Sequence, residues 1–404
     1  MNNDTYKPST NIYKYTSSMK YMLDEEKFSI EAINIKSIAI DYDFKNTNMP
    51  MIFITAAIDR NHLDMMIQNQ DTGIIIFDLE KCISNSDMPD LYTKNISDKF
   101  IYFISEDINK NNDMDYSGDN SEREDLFKIV SFGMLCLDHV NNNKKSLNGV
   151  VTGNLSSLLY YITGHIPVLI EPPKENIFFN EQFLPPLNSV SKSIAYINNL
   201  NAIYDTSYRF FIDFDCSYLI SSSGKSVKRQ GEDITSILIN IHSTTDMESK
   251  LQGMTINETE AIYQIDVDAI DCEISDNHIS NNLYSKVIAT DASGNVLEKS
   301  LSSEGKTSVV KKSKMIRLPN ANSRLLDNMI SSVDNSSIQL LVQKTDIDSS
   351  VFTINKEYLV KADEVYGSEK YNGRYILSHK RELYIRNDEE FVMNTMLLFE
   401  KVLE

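Results

Sequence analysis

The chain has 404 residues, enough for more than one core because single domains cluster near roughly 100–200 residues, and with 41% hydrophobic residues it is not a disordered chain. Acidic residues outnumber basic ones 58 to 39, a net charge of -19, which argues against a surface that tracks phosphates and hence against specific nucleic-acid binding. Only 13 glycines disfavour a phosphate-cradling α/β enzyme, while 21 Tyr, 17 Phe and many Ile and Val suit pleated, half-buried sheets.

The first elements to read are FSIEAINIKSIAIDYDF and MPMIFITAAID, between residues 27 and 59, where apolar alternation and then a run predict two strands about a KNTNMP turn. HLDMMIQNQ places Leu63, Met66 and Ile67 at helical spacing, TGIIIFDLEKC and FIYFISED return to strand, and LFKIVSFGMLCLDHV reads as a strand of some thirteen residues. Residues 1–145 thus read as a β-barrel or sandwich domain. Residues 146–225 read as a small α+β module. One of its helices carries Leu155, Leu158, Leu159 and Ile162 and ends at Gly164; a second follows Pro185 and Pro186, with Asn188 as N-cap candidate and Val190, Ile194 and Ile197 on one face. YRFFIDFDCSYLIS follows as one strand. From 226 to 404, ITSILINIHS, EAIYQIDVDAI, YSKVIATDA, SIQLLVQKTD and EYLVKADEVY alternate as a second β module, with one short helix in RLPNANSRLLDNMISSVD and two or three closing strands after Asn372.

Cys82, Cys136, Cys216 and Cys272 are too far apart for a local CxxC pair and read as buried free thiols of a reducing compartment. No basic segment followed by an apolar run opens the chain, and no stretch approaches the roughly 18 apolar residues of a membrane span, so the expectation is cytoplasmic synthesis without membrane insertion.

Chemical motifs are few. SSSGKS (221–226) ends like a phosphate loop, but Leu219 stands where the loop's first glycine belongs, which leaves a polar turn. Asp113, Asp115, Ser117, Asp119, Ser121 and Glu124 match the ligand positions of a calcium loop with Gly118 at its sharp turn, but Asn120 at a normally apolar position and the absence of a preceding helix favour a solvated acidic loop. Asp213 and Asp215, and Asp266, Asp268 and Asp271, are paired carboxylates that general acid/base chemistry could use, and apolar-in, acid-out strands write the same string. His62, His139, His165, His242, His278 and His379 never fall at metal-ligand spacing, and no nucleophile motif flanks any Ser or Cys. No catalytic, cofactor-binding or metal residue is therefore assigned.

Residues 153–221 run through a helix, a PP segment, a second helix and an FIDFD strand, and ADEVYGSEKYNGRYILSHKRELYIRNDEEFVMNTMLLFEKV places Tyr371, Gly373, Tyr375 and Ile376 in a YxGxYxI strand before a polar turn and a final apolar strand. In this order the two stretches resemble the baseplate central hub proteins of contractile phage tails, a family shared with phage-tail-like bacteriocins and type VI secretion spike bases. His379 falls three residues after Ile376, short of that family's spacing, and the first 145 residues share only a strand, helix, strand order. The resemblance implies a mainly β fold of two tail-tube-like antiparallel β-barrels plus a helical module. It also implies a homotrimer whose pseudo-sixfold ring joins a sixfold tail tube to a central spike and lets DNA or cargo pass. The implied partners are itself, the tail tube or tube-initiator protein, the central spike protein, baseplate wedge proteins and the tape measure protein. The implied location is the virion tail baseplate after assembly in the host cytoplasm. In such a ring the acidic excess becomes, as a hypothesis, a lumen that repels phosphates, which a neutral or basic channel would overturn. Two other readings stand beside it. A polysaccharide-binding or degrading tail protein would use the paired carboxylates, although the chain has no Trp to stack on sugars. A calcium-stabilised adhesion module would rest on Asp113 to Glu124 and show a calcium-dependent melting temperature.

Overall fold

A computed structural model of the chain describes residues 12–23, 26–85, 88–104, 127–145, 147–242, 252–257, 260–276, 286–290, 295–300, 313–317, 325–328, 338–345, 347–362, 370–387 and 390–402. The acidic stretch 113–124, weighed above as a calcium loop or a solvated loop, and His278 lie outside the described residues. The elements begin with β1 (Ile12–Leu23), β2 (Glu26–Ile30), β3 (Ile35–Asp43), β4 (Met51–Asp59), α1 (Arg60–Gln68), β5 (Ile74–Asn85), β6 (Met88–Ile104), β7 (Phe127–Cys136) and α2 (Leu137–Lys144). They continue with β8 (Gly149–Asn154), α3 (Leu155–Thr163), β9 (Val168–Ile170), β10 (Phe178–Leu184), α4 (Val190–Asn201), β11 (Tyr208–Phe211) and β12 (Ser217–Ser221). Next come β13 (Ile234–His242), β14 (Gln252–Asn257), β15 (Glu260–Asp268), β16 (Cys272–Asp276), β17 (Lys286–Thr290), β18 (Val296–Ser300) and β19 (Ser313–Arg317). The last are β20 (Ile338–Thr345), β21 (Glu357–Ala362), β22 (Gly373–Asn387) and β23 (Glu390–Lys401).

The chain forms two compact units. The first takes Met1–Asn141, Val342–Phe352 and His379–Leu397, and the second takes Asn142–Leu341, Thr353–Ser378 and Leu398–Glu404.

In the first unit the antiparallel neighbours run β22, β3, β4, β7, β6, β5, β1 and β23, and β22 also pairs with β23, so the ladder of eight strands returns to its start. Closure leaves this ladder without an open edge. Alternation along each strand fills the inside: Ile52, Ile54, Ile75, Phe77, Phe100, Phe132 and Met134 are all at most 1% exposed, and each such side chain contributes about 1.5–3 kcal/mol by leaving water. Phe77 and Phe100 meet edge to face at 6.1 Å. α1 starts where Asp59 accepts the Asn61 and His62 amide hydrogens, and it is tied to β6 by the Tyr102 hydroxyl, which donates to the Met66 carbonyl at 2.7 Å. Of its three expected apolar contacts, Leu63 and Met66 are buried but Ile67 is exposed.

The strand expected through residue 140 stops at Cys136, and Leu137 opens α2, in which His139 is buried. Strand alternation up to Cys136 and the single inward turn of α2 spell one continuous apolar pattern in sequence, and periodicity alone does not separate them.

The second unit holds the helical module. α3 buries Leu155, Leu158, Leu159 and Ile162, and α4 buries Val190, Ile194 and Ile197, as their spacing predicts. The N-cap of α4 is Ser189, not Asn188: its hydroxyl accepts the Lys192 amide hydrogen, and Asn188 instead accepts from the Lys192 ammonium. YRFFIDFDCSYLIS is not one strand but the antiparallel pair β11 and β12, broken at Ile212–Cys216, with β9 parallel to β12 on its other side. In the β module β13 runs parallel to both β15 and β21, so this sheet is mixed rather than antiparallel throughout. β14 takes the outer place, and β15, antiparallel to it, lies between it and β13.

Candidate functional site

The carboxylates raised by sequence do not converge. Asp213 and Asp215 sit in the β11–β12 turn, where Asp213 accepts the Phe214 amide hydrogen at 2.8 Å. Asp266 and Asp268 on β15 are 4% and 8% exposed, against the acid-out pattern. Asp266 is held by the Asn240 and Gln264 amides at 2.8 and 3.2 Å, with the His242 imidazole 3.5 Å away. A carboxylate satisfied by amides on a paired strand is a structural group. Beside it lies an open groove of about 580 Å³ lined by Asn240, His242, Leu359, Lys361, Asn372 and neighbouring backbone. Asp271 lies half-buried in a short turn after β15.

The remaining candidates are also structural. Gly224 of SSSGKS has φ +72, and a strand rather than a helix comes next, so no helix N-terminus faces a phosphate. Cys82, Cys136 and Cys216 are buried, Cys272 is half-buried and none is in a disulfide; burial pushes the Cys136 thiol up to about 11, away from the reactive thiolate. His62 stacks on Phe28, His165 meets the Asn142 carbonyl, and the hydrogen bond to Asp41 raises the pKa of His379 above its ordinary value. Among the described residues no group of three or more His, Cys, Asp or Glu could hold a metal, and no helix is long and apolar enough to cross a membrane.

What the fold does bring together is apolar surface. On the outer face of the first unit, Leu383 pairs with Ala39, Ala39 with Phe53, Phe53 with Gly133 and Gly133 with Phe103, an uncharged row across β22, β3, β4, β7 and β6. Phe53 and Phe103 are 36% and 41% exposed. Phe103 lies directly over Gly133, where any Cβ would run into its ring. The face continues through Ile129, opposite Ala57, and Phe127, opposite Asp59.

A second apolar face belongs to the two-stranded ribbon of β8 and β10 in the second unit. Val150 stands opposite Phe183 and Phe178 opposite Asn154, and all three apolar side chains are more than half exposed. Contiguous exposed apolar faces of this kind are a feature of contact surfaces. Neither face is among the candidates that the sequence offers. The available signal is MIFI and FIYFI, runs that are apolar on both strand faces where a single buried face needs alternation.

Among curated proteins none matches the chain. In fold it is similar to the tail protein from Neisseria meningitidis MC58, with TM-score 0.52 and 11% identity over 96% of this chain and 97% of that one. It is also similar to the 43 kDa tail protein of prophage MuSo2 from Shewanella oneidensis (TM-score 0.48, 9% identity, 95% and 98% covered). A further likeness is to a chain of the Francisella PdpA–VgrG complex (0.49, 10%, 96% of this chain and 58% of that chain). The mainly β fold is similar to that of the Neisseria protein, and the model of the family described as Bacteriophage PBS1 gene 109 protein matches residues 9–401. The chain belongs to that family.

Proposed function

We propose that this protein is a structural hub subunit of a contractile-tail baseplate, and that three copies form the ring that joins the tail tube to the central spike and lets DNA or cargo pass. The observation that carries the reading is the extent of the likeness: the family covers residues 9–401, and the Neisseria tail protein is matched over nearly all of both chains. Within this reading the role is architectural. Its paired carboxylates are apart or tied to amides, and its buried thiol and imidazole are held in their neutral forms. The partners are the tail tube or its initiator, the spike, wedge proteins and the tape measure protein; the net charge of -19 supports an acidic lumen that repels phosphates.

Light scattering on the purified chain, alone and with the tail proteins encoded beside it, tests the ring. A mass near 139 kDa, three chains of 46.2 kDa, is expected. A chain that stays monomeric with every tail protein refutes it.

A further inference from the structure

We propose that Asn148 is a self-modifying site: the Gly149 backbone nitrogen attacks its side-chain amide, and the residue passes through a cyclic imide to aspartate or isoaspartate. The reaction needs no partner and no cofactor. The Gly149 nitrogen gives up its proton and bonds to the Asn148 side-chain carbonyl carbon. The bond from that carbon to the amide nitrogen breaks, and the nitrogen leaves as ammonia with the released proton. Water then opens the imide at either carbonyl. Opening at the backbone carbonyl routes the main chain through the former side chain and lengthens it at the foot of β8, and either product adds a negative charge beside the Val150–Phe183 pair.

The sequence holds two Asn–Gly pairs, Asn148–Gly149 and Asn372–Gly373, and each asparagine stands immediately before a strand. Glycine hinders the attack least, because it has no side chain beside the nitrogen and its backbone turns freely. What separates the two pairs is their surroundings. Asn148 is exposed, and its side chain makes no hydrogen bond among the described residues. A Cβ at Gly149 would meet nothing within 4 Å, so the imide ring has room to close. β8 pairs with β10 alone, Gly149 opposite Leu184, and the end of a two-stranded ribbon opens easily. Asn372 is held instead. It is half-buried, and its side-chain oxygen accepts the Ala362 amide hydrogen at 2.8 Å, which fixes the carbon that would be attacked. Gly373 lies opposite Val360 on β21, the next carbonyl, of Arg374, accepts the Val402 amide hydrogen at 2.8 Å, and a Cβ at Gly373 would lie 3.2 Å from the Lys401 side chain. Releasing Asn372 from Ala362 and Gly373 from its strand neighbours before attack slows the reaction there roughly tenfold or more.

The test is peptide mapping by mass spectrometry on the full chain, incubated at mildly alkaline pH in its native state and in urea, with isoaspartate detected by an isoaspartyl methyltransferase. In the native chain the amide-to-acid mass gain and the isoaspartate signal should accumulate at Asn148 roughly tenfold or more faster than at Asn372. In urea, where both pairs are released, the two rates should converge. Asn148→Ser, an exposed change, should remove the native isoaspartate signal. Equal native rates at the two pairs overturn the proposal. So does an Asn148 that reacts in urea but not in the native chain, which would mean that β8 locks it. A difference that persists in urea assigns the selectivity to flanking sequence and overturns the structural argument, and no reaction at Asn148 in either state overturns the site itself.

Discussion

His139 makes the first unit acid-sensitive in a way that can be worked out. It is 6% exposed in α2, and burial, opposed only by the nearby Asp138 charge, lowers its pKa from 6.5 to about 4. Between these values the unfolded chain binds a proton that the folded chain refuses, so stability is complete above pH 6.5 and is lost as pH falls toward 4. Linkage with those two values gives a loss of about 2 kcal/mol from pH 7 to pH 5. His379 acts with the opposite sign: its raised pKa contributes stability below about 6.5 that is lost as pH rises through the folded value. The sum over the molecule therefore hides His139, and the comparison with His139→Gln isolates it, because the constant cost of the glutamine cancels between pH values. Urea unfolding followed by tyrosine fluorescence at pH 7 and 5 should show the parent losing about 2 kcal/mol more than the variant over this interval. Equal losses would refute the argument from burial.

Other perturbations follow from single contacts. Lys380 and Glu382 are each 5% exposed and meet at 3.3 Å, so Lys380→Met leaves a buried carboxylate and should cost about 3–5 kcal/mol in urea unfolding; the Lys380→Met/Glu382→Gln variant should recover part of it. Gly73→Ala would set a Cβ 2.5 Å from the Tyr21 hydroxyl and 2.9 Å from that of Tyr102, two buried rings, and should cost about 1–3 kcal/mol of stability, read as a lower urea midpoint. An unchanged midpoint would show that the rings move. Asn328→Ala removes the amide that donates to the Tyr204 and Thr206 carbonyls at 3.2 and 2.5 Å; a cost of about 1–3 kcal/mol and faster amide exchange around residues 198–206 are expected.

Local periodicity is enough for the parts of this fold that bury one face against their own neighbours. Leu155, Leu158, Leu159 and Ile162 of α3, and Val190, Ile194 and Ile197 of α4, are buried where their spacing says. The same rule misses β1, where Tyr15, Ser17, Met19 and Tyr21 all point inward. Serine and tyrosine break the apolar code there although the backbone alternates as it should. It also merges β11 with β12, because Ile212 and Cys216 in the turn are as buried as the strands. Long-range placement has no local signal at all. Asp348 reaches Lys81 at 2.9 Å across 267 positions, and β22 pairs with β3 across more than 300, as His379 opposite Asp43 shows. The surface row is illegible for the same reason: Phe53, Gly133 and Phe103 become neighbours only through strand register.

Between Lys380 and Ile385, β22 departs in part from the usual rule that apolar side chains point in and charges point out, although Tyr384 is buried and Arg381 exposed as the rule has it. Lys380 and Glu382 face the inside, where Tyr384 donates to Glu382 and Lys380 lies 4.1 Å from the Tyr42 ring centroid, while Leu383 and Ile385 face out. The two halves of the departure have different consequences. Inward charges are tolerable in an isolated subunit because each finds a partner within it. The outward Leu383 and Ile385, like Phe53 and Phe103, are only partly covered within the subunit, so burying the remainder would add stability on association. A strand built this way keeps apolar surface that further association could cover, which is consistent with the assembly proposed above.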